Sequence, residues 1–146
     1  MDNYLDAMVA HDPARVPLAK KFRFTENGVE IAMQDGLWAT ATGTVGYRIY
    51  VPDPAKQSIA FMGNVTEQGK TVYFGVRLQL VDGRISEAET QVARDVVSPS
   101  MPGNAAPPPA SPSARASLAE LTPEADRLPR AKLIELSEKY FDALQD

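Results

Sequence analysis

None of the 146 residues is cysteine, so the chain cannot build a disulfide, a thiol nucleophile or a thiolate metal site. There is one histidine, His11, and no D-x-D-x-D-G or H-E-x-x-H spacing, which leaves only scattered carboxylates for a metal. The glycines form no phosphate-loop or dinucleotide pattern and no G-x-S-x-G elbow. No cofactor is therefore expected. No apolar run approaches the roughly 20 residues that span a bilayer, and MDNYLDAM has no basic leader region, so no membrane association is expected and the default location is cytoplasmic. A net charge of -4 disfavours a nucleic-acid partner, which needs a concentrated basic surface. Lys20, Lys21 and Arg23 form the one dense basic cluster, and it reads as a protected strand edge.

The hydrophobic content is 44%, enough for one domain plus a tail. The strongest local signal is Thr71 to Arg94. Val72, Phe74, Val76, Leu78 and Leu80 are apolar at every second position, the period of a strand with one buried face. Asp82-Gly83 then predicts a hairpin turn with positive φ at both positions. With a two-residue loop, Val81 faces Arg84, Leu80 faces Ile85, Leu78 faces Glu87 and Val76 faces Glu89, so two carboxylates enter an apolar face. With a three-residue loop and a glycine bulge the register slips by one, and Glu87 and Glu89 join Arg77 and Gln79 on a solvated face.

Before this hairpin, Asp2 to Ala10 has helical spacing, with Tyr4, Leu5, Met8 and Val9 on one side. Asp12-Pro13 starts a second short helix that turns Val16 and Leu18 inward. Lys21–Glu26, Asn27-Gly28 and Val29–Ala32 form a smaller hairpin. Leu37 to Gly43 reads as a short helix or irregular cover that contains Trp38, the only tryptophan. Strands follow at Tyr47–Val51 and Ser58–Thr66, and together with the opening hairpin they predict a four-strand antiparallel meander. The fold class is α+β.

Composition divides the chain into a domain over 1–97, a linker over 98–117 rich in Pro, Ser and Ala, and a helical segment over 118–146. Thr122-Pro123-Glu124 and Pro129 mark helix starts, and Leu133, Leu136, Tyr140, Phe141 and Leu144 form an apolar stripe. Tyr140-Phe141-Asp142-Ala143-Leu144 repeats Tyr4-Leu5-Asp6-Ala7-Met8 in pattern. Either the last helix begins a second copy of the domain in a tandem protein, or two amphipathic helices match by chance and the last one docks on the domain or a partner.

A helix ending in YLDAM and followed by HDP, a short proline-containing helix, FTENG, a GLW stretch and a meander closing on DGRISEAETQVAR resemble the nuclear-transport-factor-like, or SnoaL-like, superfamily over Met1 to about Arg94. The resemblance implies a curved antiparallel sheet wrapped around N-terminal helices, a cone with a pocket at its open end. It also implies a range of functions, from ketosteroid isomerases, epoxide hydrolases, polyketide cyclases and dehydratases to non-catalytic binding or dimerisation modules. No catalytic arrangement of the isomerases matches residue by residue, and the lone His11 does not suit a histidine-dependent dehydratase.

A pocket acid or base needs a carboxylate with its pKa raised by burial. Under the two-residue turn, Glu89 and Glu87 are the candidates. Trp38 would wall the pocket, Tyr47, Tyr50 and Tyr73 would donate hydrogen bonds, and Arg77 would hold an anionic group. The expected function is binding of a small apolar molecule, with cofactor-independent isomerase, cyclase, hydratase or hydrolase chemistry. The alternative is a non-catalytic binding or dimerisation module, as a homodimer or one unit of a tandem pair.

Overall fold

The structure, a computed structural model, describes residues 1–94, 116–118 and 120–144. These fall into two units, one made of 1–94 and the other of the segments after 115.

Helix α1 (Asp2–Val9) opens the first unit, and the residues it buries are Tyr4, Leu5, Ala7 and Met8. These recur at three- and four-residue spacing, so they share one side of the helix. His11 stops it with φ of 54°. Asp12 then caps a turn of 3-10 helix at Pro13–Arg15 by accepting the Ala14 N–H at 3.1 Å. This turn replaces the expected second helix, and Val16 is buried as anticipated.

The sheet has six strands in the order β2-β1-β6-β5-β4-β3. They are β1 (Leu18–Glu26), β2 (Val29–Glu30), β3 (Ala41–Asp53), β4 (Ser58–Glu67), β5 (Lys70–Val81) and β6 (Arg84–Ala93), with the short helix α2 (Leu37–Thr40) before β3. The meander β3-β4-β5-β6 is antiparallel, as its alternation predicts. Strand β1 lies parallel to β6. Asn27 extends that pairing beyond the strand end, since its side-chain amide donates to Val92 O at 3.0 Å and its oxygen accepts from Val92 N at 2.8 Å. The sheet is curved and does not close, and bulges in β3 and β6 bend it.

At the opening hairpin, Asp82 and Gly83 have φ of 51° and 71°, so the loop has two residues, and Val81 pairs with Arg84 and Leu80 with Ile85. The register then shifts. Ser86 is an extra residue in β6, and beyond it Gln79 pairs with Glu87, Leu78 with Ala88, Arg77 with Glu89 and Val76 with Thr90. The turn is the first of the two expected forms; the carboxylate placement is that of the second. The bulge moved from the glycine to Ser86, whose hydroxyl donates to Gln79 O at 3.2 Å.

Paired residues share a face, so the ladders define two surfaces. On the concave side lie the rows Ile59–Leu78–Ala88–Phe24 and Tyr50–Phe61–Val76–Thr90–Glu26. This side carries the core: Tyr4, Leu5, Met8, Leu37 and Trp38 pack into one cluster with Phe24, Phe61, Val65, Phe74, Val76 and Val92. Burying a side chain of this kind contributes about 1.5–3 kcal/mol. On the outer side lie Val51–Ala60–Arg77–Glu89 and Ile49–Met62–Gly75–Gln91.

In the second unit, Glu124–Asp126 is a single 3-10 turn rather than a helix, and α3 (Arg130–Asp142) starts directly after Pro129. Leu133, Leu136, Tyr140, Phe141 and Leu144 are all exposed. The expected linker over 98–117 lies outside the described residues except for 116–117, part of a 3-10 turn over Ala116–Leu118. Among the described residues no helix is long and apolar enough to cross a membrane.

Candidate functional site

The residues singled out from the sequence separate into three places. Trp38 lies on the concave face, 2% exposed. Its indole N–H donates to the Tyr4 hydroxyl at 3.0 Å, and the two rings meet edge to face at 5.3 Å. Burial pushes the Tyr4 phenol up to about 12, although the Trp38 hydrogen bond and the nearby Thr90 hydroxyl act in the opposite direction. His11 Nδ1 lies 2.5 Å from Trp38 O; a carbonyl only accepts, so this nitrogen carries the proton. Trp38 is thus held at both ends by α1 and the residues that follow it, and it fills the concave side together with them.

Tyr50 lies at the rim of that side. Its hydroxyl donates to Asp2 Oδ1 at 2.5 Å and its ring packs edge to face on Phe61 at 5.4 Å. Arg48 reaches the same Asp2 carboxylate at 3.5 Å.

Arg77, Glu87 and Glu89 come together on the outer face. Arg77 Nη2 donates to Glu87 at 2.5 Å and Arg77 Nε donates to Glu89 at 3.0 Å. Arg23 Nε reaches Glu87 from β1 at 2.9 Å. Hydrogen bonds from Arg23 and then Arg77 hold the Glu87 carboxyl below the usual carboxylate range, against a smaller effect of burial. A carboxylate poised for acid/base work near neutral pH needs the reverse shift.

Tyr47 and Tyr73 flank a shallow hollow of about 280 Å³ on this outer face, between Met62 and Gln91, and Gly75 lies among its lining residues. A second hollow of about 350 Å³ adjoins it through Met62, Gly75 and Gln91 and runs to Arg77 and Glu89. Five of the seven expected residues therefore share the outer face, with Glu87 adjacent to the hollows.

Sequence reasoning missed an ion-pair cluster at the end of β6. Arg94 donates to Glu67 from Nε at 2.5 Å and from Nη2 at 2.8 Å, and to Glu26 from Nη1 at 2.9 Å. Glu26 also accepts the Leu37 N–H at 2.8 Å, and Glu67 accepts the Thr40 hydroxyl at 2.5 Å. Arg94, then Thr40, lower the Glu67 pKa against burial, which raises it. The cluster clips both ends of α2 to the sheet. Glu26 and Glu67 each directly precede a turn, Asn27-Gly28 and Gln68-Gly69, but nothing in the chain order pairs them with Arg94.

No family model and no curated protein matches the chain by sequence. Solved structures match by shape. An NTF2-like protein of unknown function from Cytophaga hutchinsonii is 11% identical, with 62% of this chain and 84% of that chain covered and a TM-score of 0.50. A de novo designed protein with a curved β-sheet is 15% identical, covering 63% of this chain and 80% of that one, with a TM-score of 0.52. An LEH-like epoxide hydrolase from M. tuberculosis is 15% identical, covering 63% and 78%, at 0.42. These matches in shape show that this chain has the NTF2-like, or SnoaL-like, α+β fold.

Proposed function

We propose that the sheet unit is a non-catalytic interaction module that self-associates through the outer face of its sheet. The observation that carries this reading is the division of labour between the two faces. The concave side is filled by the chain's own Tyr4, Leu5, Met8, Leu37 and Trp38. The outer side leaves Val45, Val51 and Met62 exposed, and Met62 lines both hollows at Gly75. Contiguous apolar surface rimmed by polar groups is the usual mark of a protein contact. The Arg23–Glu87–Arg77–Glu89 pairs form such a rim, and internally neutralised charges there set register more than affinity.

The test uses Met62→Glu combined with Gly75→Lys. Met62 is half exposed, and a Cβ on Gly75 would meet only Phe61 O at 3.7 Å, an ordinary contact. The fold should tolerate both changes. Light scattering after size exclusion is expected to show a dimer for the unaltered chain and a monomer for the variant, with Tm unchanged. A monomer for the unaltered chain at every concentration would sink the proposal.

A second reading is favoured by the hollow between Tyr47 and Tyr73, which is the size of a small ligand site though open on one side. In it a small apolar molecule sits on Gly75, and Arg77 and Glu89 lie at the far end. Titration with apolar aromatic probes would support it if binding is lost in Gly75→Lys while the chain is monomeric throughout. Any turnover that survived Glu89→Gln and Glu87→Gln would exclude acid/base roles for those two residues.

A further inference from the structure

Glu138, Tyr140, Phe141, Ala143 and Leu144 follow one another at the same spacing as Asp2, Tyr4, Leu5, Ala7 and Met8. In α1 the structure gives each of those positions a task. Tyr4, Leu5, Ala7 and Met8 are its buried residues, each at most 2% exposed. The Tyr4 hydroxyl receives the Trp38 N–H. Asp2 takes the Tyr50 hydroxyl and the Arg48 guanidinium at the rim. Asp6, the residue between them that is exposed, matches Asp142, also exposed. In α3 the corresponding apolar residues are presented to solvent: Tyr140 is 63% and Phe141 62% exposed.

We infer that α3 is shaped for the α1 seat, and that it docks on the concave face of a second copy of this chain in place of that copy's α1. The match includes charge. Glu138 falls where Asp2 sits and so meets Arg48 and the Tyr50 hydroxyl. Tyr140 brings a hydroxyl to the Trp38 indole. Leu144 for Met8 conserves volume, while Phe141 for Leu5 is the one enlargement among the buried positions that the seat must absorb. The same seat explains why an apolar stripe is kept on a helix whose polar side is tied by Lys132 and Lys139 to Glu135.

The competition is between unequal helices. The resident α1 has eight residues and no side-chain cap, a length at which an isolated helix is marginal. The incoming α3 has thirteen and carries Leu133 and Leu136 further along the stripe. The resident helix keeps the advantage of attachment, equivalent to a local concentration of order mM. Exchange therefore grows with protein concentration and with any weakening of α1. This inference uses the concave face and is independent of the outer-face reading.

Because the chain has no cysteine, introduced thiols report cleanly. Full-length chain carrying Tyr50→Cys is mixed with full-length chain carrying Glu138→Cys and treated with a short bis-maleimide, and conjugates are identified by peptide mapping. The expected product is a 50-to-138 conjugate between two chains. Its yield should fall at least about tenfold, the equivalent of roughly 1.4 kcal/mol, when Tyr140→Ala and Leu144→Ala are added to the second chain. It should rise severalfold when Leu5→Ala is added to the first. Absence of the conjugate from folded chains, or a yield indifferent to Tyr140→Ala and Leu144→Ala, would overturn the inference; circular dichroism of each chain before mixing establishes that it is folded.

Discussion

Trp38 shows how one residue can stand out in a sequence while its contacts stay out of view. Its being the only tryptophan, on a small-residue stretch, singled it out as a pocket wall; its indole N–H and carbonyl are both tied down, by Tyr4 and His11. The partners lie 34 and 27 residues away, beyond the reach of any periodicity argument. Tyr4→Phe leaves the buried indole N–H without an acceptor, which costs about 1–3 kcal/mol. Chemical denaturation should show the loss, together with a shift in the emission of the lone tryptophan. The same variant should lack the phenol that ionises near pH 12 in an ultraviolet titration. Gly63 sits equally tightly, because an added Cβ would lie 2.7 Å from the Phe61 ring and 2.8 Å from Tyr47 O. Gly63→Ala should lower stability by about 1–3 kcal/mol, whereas Gly75→Ala, in open contact, should change it by less than about 1 kcal/mol.

The element that placed the two glutamates was β6. Alternation in β5 was legible because Val72 to Leu80 repeat without interruption, and the Asp82-Gly83 loop was legible because its turn chemistry is local. Ser86 was not legible. A bulge leaves both neighbouring residues compatible with a strand, and what fixes it is the pairing with β5 and β1 across the sheet. Its effect is to return Glu87 and Glu89 to the face of Arg77. Deleting Ser86 would preserve this face assignment, since Ile85, Ala88 and Thr90 already lie on the concave side. It would straighten β6. The deletion should therefore keep the strand content in circular dichroism while costing about 1–3 kcal/mol.

The Arg94 cluster acts at the same scale by joining β1, α2, β4 and β6. Glu67 has a folded pKa below its unfolded value of about 4.3. Its contribution is therefore fully present above that value and is lost as pH falls through the folded pKa. Glu67→Gln should be less stable than the unaltered chain at pH 7, by about 1–2 kcal/mol once the partial exposure of Arg94 is allowed for. The gap should narrow below about pH 4, as thermal melts across that range would show.

For the whole molecule, helices before strands and an unbroken meander were enough to reach the α+β class, while the curved sheet was implied only by the resemblance to the NTF2-like superfamily. The parallel seat of β1 beside β6 was not reached, because it joins segments more than 60 residues apart and no local pattern encodes it. The same limit hid which face of the sheet would be left open. The concave side is filled by the chain's own side chains; in the reading proposed above a partner meets the outer side, and the repeated YFDAL pattern would supply a second, distinct means of association. The two can be separated by sedimentation equilibrium on the full chain, on Met62→Glu with Gly75→Lys, and on Tyr140→Ala with Leu144→Ala. At concentrations below those that drive α3 exchange, the outer-face account predicts a dimer for the first and third chains and a monomer for the second; a second chain that dimerises as tightly as the first under those conditions would contradict it.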